Sequence, residues 1–246
     1  MKRLENKTAL VTGGSRGMGA AIVKRLAAEG ANVAFTYVKG AAQASAIVKE
    51  LEQQGYKALA IEADSADPQA LLAAVEQAAA AFGRIDILVN NAGIYIAKLF
   101  TDYTLEDYNQ TMAVNTQAVF VASQAVLKYM GVGGRIITIG SNMADRIIGS
   151  HGVLYGMSKS ALTAFNKGLS REVGPLGITA NLVNPGPIDT DMNPADSQVG
   201  DMLRPHISLG HYGNVSDIAS LVAFLASPES AFITGTDIVI DGGFSS

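Results

Sequence analysis

The 246-residue chain contains no cysteine, which excludes a disulfide framework, a thiolate metal site and a cysteine nucleophile together. Excess positive charge is missing as well: 18 Lys and Arg stand against 22 Asp and Glu, for a formal net charge of −4. Without a basic field to attract phosphate backbones or anionic lipid, nucleic acid and membrane are not expected partners, and small molecules remain. No apolar stretch reaches the roughly 18 residues that crossing a bilayer requires. Near the start, Lys2 and Arg3 are followed by Glu5, Asn6 and Lys7, unlike a secretory signal. These absences predict a cytoplasmic protein. His206 and His211 have no partners at metal-ligand spacing, so no catalytic metal is expected.

What is present is apolar bulk, 48% of the residues, enough to fill the core of one large α/β domain spanning residues 1–246. Short β-branched and aliphatic runs recur along it: TALVTG, NVAFTY, ALAIEA, DILVNN, RIITIG, ITANLV and DIVID. Each is bounded by Gly, Asn or Asp and reads as a strand. Between them, Ala20–Ala28, Ala41–Gln54, Pro68–Phe82 and Leu105–Met130 show helical spacing. Such alternation demands crossover connections, predicting a doubly wound seven-stranded parallel sheet of Rossmann type with ligands at the strand C-termini. Residues 187–213, rich in Pro, Gly, Asp and Asn, are expected to form a lid.

The first strand runs directly into Gly13, Gly14, Ser15, Arg16, Gly17, Met18 and Gly19, then into an Ala-rich segment. Glycines there let backbone N–H groups approach a pyrophosphate, and a helix N-terminus adds partial positive charge. The string TGGSRGMG in this place resembles the cofactor loop of the short-chain dehydrogenase/reductase family, and other landmarks of that family follow in order. Asp64 and Ser65 follow the third strand, Asn90, Asn91, Ala92 and Gly93 form NNAG, and Asn115 lies in a helix. Ser141 ends the fifth strand, Tyr155 and Lys159 make YxxxK, and Pro185, Gly186, Ile188 and Thr190 match PGxxxT. The resemblance covers the whole chain. It implies an oxidoreductase whose cofactor has its adenine ring near Asp64 and Ser65, is bordered by Asn91, Ala92 and Gly93, and has its nicotinamide beside the Pro185–Thr190 segment. It also implies a homotetramer, with the long central helices and the last strand at subunit contacts.

The chemistry follows from residue type as well. Tyr155 and Lys159, four apart, share one face of a helix. A nearby ammonium, together with an oxidised nicotinamide, is expected to draw the phenol down from its usual value of about 10, making Tyr155 the proton donor and acceptor. Ser141 is placed to polarise a substrate carbonyl; IGSNM lacks the GxSxG elbow of serine hydrolases. A buried Asn115 amide needs hydrogen-bond partners, and by resemblance it holds a water that links Lys159 to solvent.

No acid ends the second strand, where a carboxylate would bond a ribose 2′-hydroxyl; Tyr37, Val38 and Lys39 stand there instead. Arg16 and Lys39 suit a 2′-phosphate, so the expected cofactor is NADP(H). The expected substrate is a small ketone or aldehyde, or the corresponding alcohol, with Met143, Ile148, His151, Pro187 and Met192 as candidate pocket walls. A 3-oxoacyl-acyl-carrier-protein reductase is the alternative. The turns Met130–Gly134 and Gly174–Gly177 are neutral where that partner would dock, although Lys128 and Arg171 lie close by. A nucleotide-binding sensor or scaffold without turnover is the alternative of another class.

Overall fold

Unbroken apolar runs suit strands covered on both faces, and in the computed structural model, which describes residues 2–246, seven such runs pair in parallel. They are β1 (Thr8–Val11), β2 (Asn32–Tyr37), β3 (Ala58–Glu62), β4 (Ile87–Asn90), β5 (Arg135–Ile139), β6 (Thr179–Pro185) and β7 (Asp237–Ile240). The helices are α1 (Gly17–Ala28), α2 (Ala41–Gln53), α3 (Pro68–Phe82), α4 (Leu105–Met112), α5 (Ala118–Val126), α6 (Val153–Val173), α7 (Gln198–Leu203) and α8 (Val215–Ala226). Strand order is β3-β2-β1-β4-β5-β6-β7, the doubly wound arrangement that the alternation predicts. Winding reverses between β1 and β4, so their following loops part and open a crevice at the strand C-termini.

Alternate side chains of each strand serve opposite layers. Val11, Val33 and Phe35 meet Ile22 and Leu26 of α1 and Ile218 and Val222 of α8. Leu10, Leu88 and Ile136 meet Ala74 and Ala78 of α3 and Ala122 and Val126 of α5. The many alanines in these helices let backbones lie close to the sheet, and α3 is closed by Asp67, whose side chain accepts from Gln69 N, and by Gly83 at φ 80. Among the described residues no helix is long and apolar enough to cross a membrane.

The structure departs from the sequence pattern in two places. Helix α1 begins at Gly17, three residues before the Ala-rich run, so its N-terminus lies inside the glycine loop. The helix expected over Leu105–Met130 is α4 and α5 joined by a π turn at Ala113–Gln117, and it ends at Val126. A π turn inserts one residue without changing composition, which is why periodicity passes over it. The expected lid, residues 187–213, is anchored: Ile188 bridges Gly213 and Thr190 bridges Asn193. Ile207 and Tyr212 are buried with Phe244, and Arg146 donates to the Phe244 carbonyl at 2.6 Å.

One contact under the glycine loop is testable by stability alone. A Cβ on Gly14 would sit 2.5 Å from Phe35 Cβ and 2.9 Å from Val23 Cγ2. Overpacking of this kind costs about 1–3 kcal/mol, so Gly14→Ala is expected to lower Tm by roughly 3–10 °C in calorimetry; an unchanged Tm would mean that the loop yields freely.

Candidate active site

The crevice is held open by side chains that bond backbone. Thr12, just past β1, receives the N–H groups of Asn91 and Ala92 on its Oγ1, both at 3.0 Å. In return, the Asn91 amide donates to the carbonyls of Thr12 and Gly13 at 2.9 and 3.0 Å. Thr36 holds the other side, its Oγ1 accepting from Gly13 N at 3.1 Å. Gly13 and Gly17 have φ of 67 and 52, a left-handed conformation that favours glycine. Gly19 has no room for a side chain, because the Gly13 carbonyl and Asn91 Nδ2 fill the place of its Cβ. Arg16, the residue before α1, makes no side-chain cap and the first turn holds no acid. The first N–H groups of α1 therefore keep their capacity for an anion.

A cleft of about 590 Å³ runs from this loop across the sheet. Gly13, Ser15, Arg16, Gly17 and Met18 line it together with Tyr37 and Lys39 from the end of β2. Asp64 and Ser65 follow from β3, then Asn91, Ala92 and Gly93 from β4, with Tyr155, Lys159 and Thr190 farther along. Arg16 and Lys39 are exposed, and among the described residues neither pairs with a carboxylate. Asp64 turns its Oδ1 back to Ala66 N at 2.8 Å, shaping the loop after β3.

At the far end four polar side chains converge. Tyr155 and Lys159 stand in the first turns of α6, and Lys159 donates to the Ile139 carbonyl at 2.9 Å. Asn115, fully buried in the π turn, accepts from Ile94 N at 2.9 Å and donates to Ile94 O and Ser158 Oγ, both at 3.0 Å. Protein groups on the loop after β4 and on α6 thus meet the hydrogen-bonding needs of this buried side chain. Gly93 is the common neighbour: a Cβ there would lie 3.5 Å from both Asn115 Oδ1 and Lys159 Nζ. Ser141 follows β5, its N–H bonded to Asn184 Oδ1 at 3.1 Å and its Oγ accepting from Met143 N at 3.1 Å. That bond occupies a lone pair and leaves the hydroxyl proton free to donate.

Titration runs against the sequence expectation. Burial pushes the Tyr155 phenol up to about 12, with the adjacent Ser141 hydroxyl pulling the other way and Tyr95 adding to the rise. Burial also brings Lys159 down to about 8. The ammonium is committed to Ile139 and lies 5.7 Å from the Tyr155 ring centroid. Loss of water, which disfavours both charged forms, therefore outweighs mutual attraction.

Three residues expected beside the cofactor do not line the cleft. Pro185 closes β6, Gly186 packs against Asp241 so tightly that a Cβ would collide with it, and Ile188 joins the core. Of the expected pocket walls, Met192 lines the cleft; Met143 abuts Gly152, and Ile148 packs near Phe244. His151 is exposed, and its ring meets Ser150 Oγ at 2.6 Å. Sequence reasoning passes over Thr12 and Thr36, which set the loop, and Ile94, Gln110 and Val114, which line the floor. A threonine beside each strand end was the available signal for the first two.

Comparison with known proteins agrees with this geometry. The family model described as enoyl-(acyl carrier protein) reductase matches residues 13–245. The 3-oxoacyl-[acyl-carrier-protein] reductase FabG of Escherichia coli is 42% identical, with 97% of each chain covered. The cyclic-di-GMP-binding biofilm dispersal mediator protein of the same organism is 41% identical over 99% of each. A short chain dehydrogenase from Burkholderia cenocepacia, solved in complex with NADP, is 52% identical with a TM-score of 0.98, covering 99% of this chain and 100% of its own.

The low value of Lys159 has a thermodynamic consequence. Its folded value of about 8 lies below the ordinary 10.5. Between those limits the unfolded chain holds a proton that the folded chain has released, so this group makes stability rise with pH across the window. Below it, the fold carries a buried ammonium at a cost. The Tm of Lys159→Met relative to the parent is expected to be highest near pH 7 and to fall toward pH 10, as the parent gains stability across that window. Calorimetry at several pH values reads this, and a difference that does not change with pH would refute it.

Proposed function

Because the chain belongs to the short-chain dehydrogenase/reductase family, we propose that this oxidoreductase uses NADP(H) to interconvert a small ketone or aldehyde and its alcohol, Tyr155 giving or taking the proton. The observation that carries this reading is that Tyr155 and Lys159 line the same cleft as the glycine loop. The residues fit the cofactor. The cradle under Gly19 and the open N-terminus of α1 suit a diphosphate, and the unpaired Arg16 and Lys39 suit a 2′-phosphate. Asp64 and Ser65 would border the adenine, and Asn91, Ala92, Gly93 and Thr190 the nicotinamide end. Pro185, Gly186 and Ile188 would act from behind, by shaping the backbone that carries Thr190. When bound, the nicotinamide supplies or takes up the hydride.

The remaining chemistry belongs to the chain. Ser141, its Oγ already accepting from Met143 N, donates to the carbonyl oxygen and steadies the charge that develops there. Tyr155, kept protonated by burial at neutral pH, delivers its proton to that oxygen, and the alcohol results. In the reverse direction the phenolate must form, which the high value of Tyr155 opposes. Lys159 keeps two N–H groups beyond the one bound to Ile139, which would serve the cofactor ribose and proton return. Asn115 positions α6 through Ser158. Residues 187–213 act as the substrate lid.

We favour a free small carbonyl over a carrier-protein thioester because the turns at Met130–Gly134 and Gly174–Gly177 are neutral. A second reading, a nucleotide-binding protein without physiological turnover, is favoured by the relative named for cyclic-di-GMP binding. A cytoplasmic homotetramer is the assembly we propose. Two separate apolar faces support it: Leu105, Tyr108 and Phe120 on α4 and α5, and Phe232 with Val239 beside the open edge of β7.

Three measurements test this. Loss of NADPH absorbance against ketones, diketones and 3-oxo thioesters is expected to favour NADPH over NADH and to fall at least about 100-fold in Tyr155→Phe. NADPH that binds without any turnover favours the second reading. In Arg16→Ala/Lys39→Ala, kcat/KM for NADPH is expected to drop about 10- to 100-fold with little change for NADH; equal losses for both would remove these residues from cofactor choice. Light scattering should give about four times the 25.6 kDa chain mass, and a monomer mass refutes the assembly.

A further inference from the structure

The first turn of α6, which carries Tyr155, is entered through an unusual loop. Gly149 and His151 both adopt left-handed backbone, at φ 82 and 74, and for histidine that conformation is strained. The strained residue is held by its carbonyl. Tyr95 Oη donates to His151 O at 3.2 Å, and the Tyr103 hydroxyl lies 3.1 Å from the same oxygen and 2.8 Å from Ile96 O. Neither tyrosine belongs to the glycine loop or to the group of Ser141, Tyr155, Lys159 and Asn115. The next residue, Gly152, is closed in as well: a Cβ there would press on Met143 Cε and lie 3.8 Å from Tyr95 Oη. Tyr95 also touches the reacting tyrosine. Its ring meets Tyr155 edge to face, with centroids 5.0 Å apart and planes at 81°, a favoured aromatic geometry.

We propose that Tyr95 is a positioning residue for Tyr155: its ring, packed edge to face on the phenol, fixes it in place, and its hydroxyl, beside that of Tyr103, latches the His151 carbonyl so that α6 starts in one place. This rests on the reading of Tyr155 as proton donor. The contact has an electrostatic side. The groups facing Tyr155 are Lys159 on its own helix, Ser141 after β5 and Tyr95 after β4; those facing Tyr95 are Tyr103 and the His151 backbone. Tyr95 is itself raised by burial and by Tyr103, and it raises Tyr155 in turn. Removing the ring admits water, which stabilises the phenolate and lowers the Tyr155 value. Carbonyl reduction needs the protonated phenol, so the alkaline limb of its rate must then move to lower pH.

The experiment compares Tyr95→Leu, Tyr95→Phe and Tyr155→Phe in the full chain, with ethyl acetoacetate and 9,10-phenanthrenequinone as probes. Tyr95→Leu is expected to lower kcat about 10-fold or more and to shift the alkaline limb down by about one pH unit. Its NADPH affinity, read by nucleotide fluorescence, should stay within about 2-fold of the parent. Tyr95→Phe, which keeps the ring and leaves Tyr103 on the latch, should return kcat to within about 3-fold and restore the limb. A Tyr95→Leu protein with parental kcat and pH profile, beside an inactive Tyr155→Phe, overturns the role of Tyr95 alone. A Tyr95→Phe protein as impaired as Tyr95→Leu overturns the part given to the ring, because the hydroxyl latch alone then carries the effect. No turnover of either probe by the parent, or turnover that survives Tyr155→Phe, overturns the reductase reading and this proposal with it.

Discussion

Everything at the cleft depends on the exchange of hydrogen bonds between Thr12 and the Asn91 segment. Where winding reverses, β1 and β4 are neighbours whose following loops part company, and each loop leaves backbone donors and acceptors without ladder partners. One hydroxyl and one amide satisfy that set at once. The glycine loop is thereby held at a fixed height above the sheet, and Gly93, two residues beyond Asn91, reaches the neighbourhood of Asn115 and Lys159. An apolar residue at either position would leave buried polar backbone unpaired, a cost of about 1–3 kcal/mol for each group.

The same device recurs along the cleft. Lys159 bonds the carbonyl of Ile139, Asn115 both backbone groups of Ile94, and the paired phenols the carbonyl of His151. In each case a side chain from one element grips the main chain of another. The grip transmits position without depending on what the gripped residue is. It also removes water, and that removal explains why the phenol and the ammonium titrate away from their ordinary values in opposite directions.

Much of this was legible in the chain because the signals are local. Seven apolar runs with turn residues at their ends fix the strands, left-handed backbone in the loop calls for glycine, and a four-residue spacing puts Tyr155 and Lys159 on one face. What escaped is non-local. Thr12 and Asn91 are 79 residues apart, and nothing near either one announces the other. The π turn around Asn115 widens a helix by a single residue, below what periodicity resolves. The expected lowering of Tyr155 counted the cation but not the burial that only a folded cleft imposes. Nor does the string from Pro185 to Ile188 announce that Gly186 packs on Asp241 and Ile188 on the core behind the cleft.

Strand order also bears on when the protein becomes competent. With β1 third in the order and β4 beside it, the first three strands can pair among themselves early, but they present only half of a nucleotide cradle. The Thr12–Asn91 bonds form once β4 has docked, and Ser141 gains its Asn184 partner 43 residues farther on. Arg146 waits for Phe244, 98 residues downstream and near the end of the chain. Parallel sheets with such distant pairings fold slowly, since loop closure precedes its reward. A complete cradle is thus acquired in stages during folding, each stage waiting on a more distant partner.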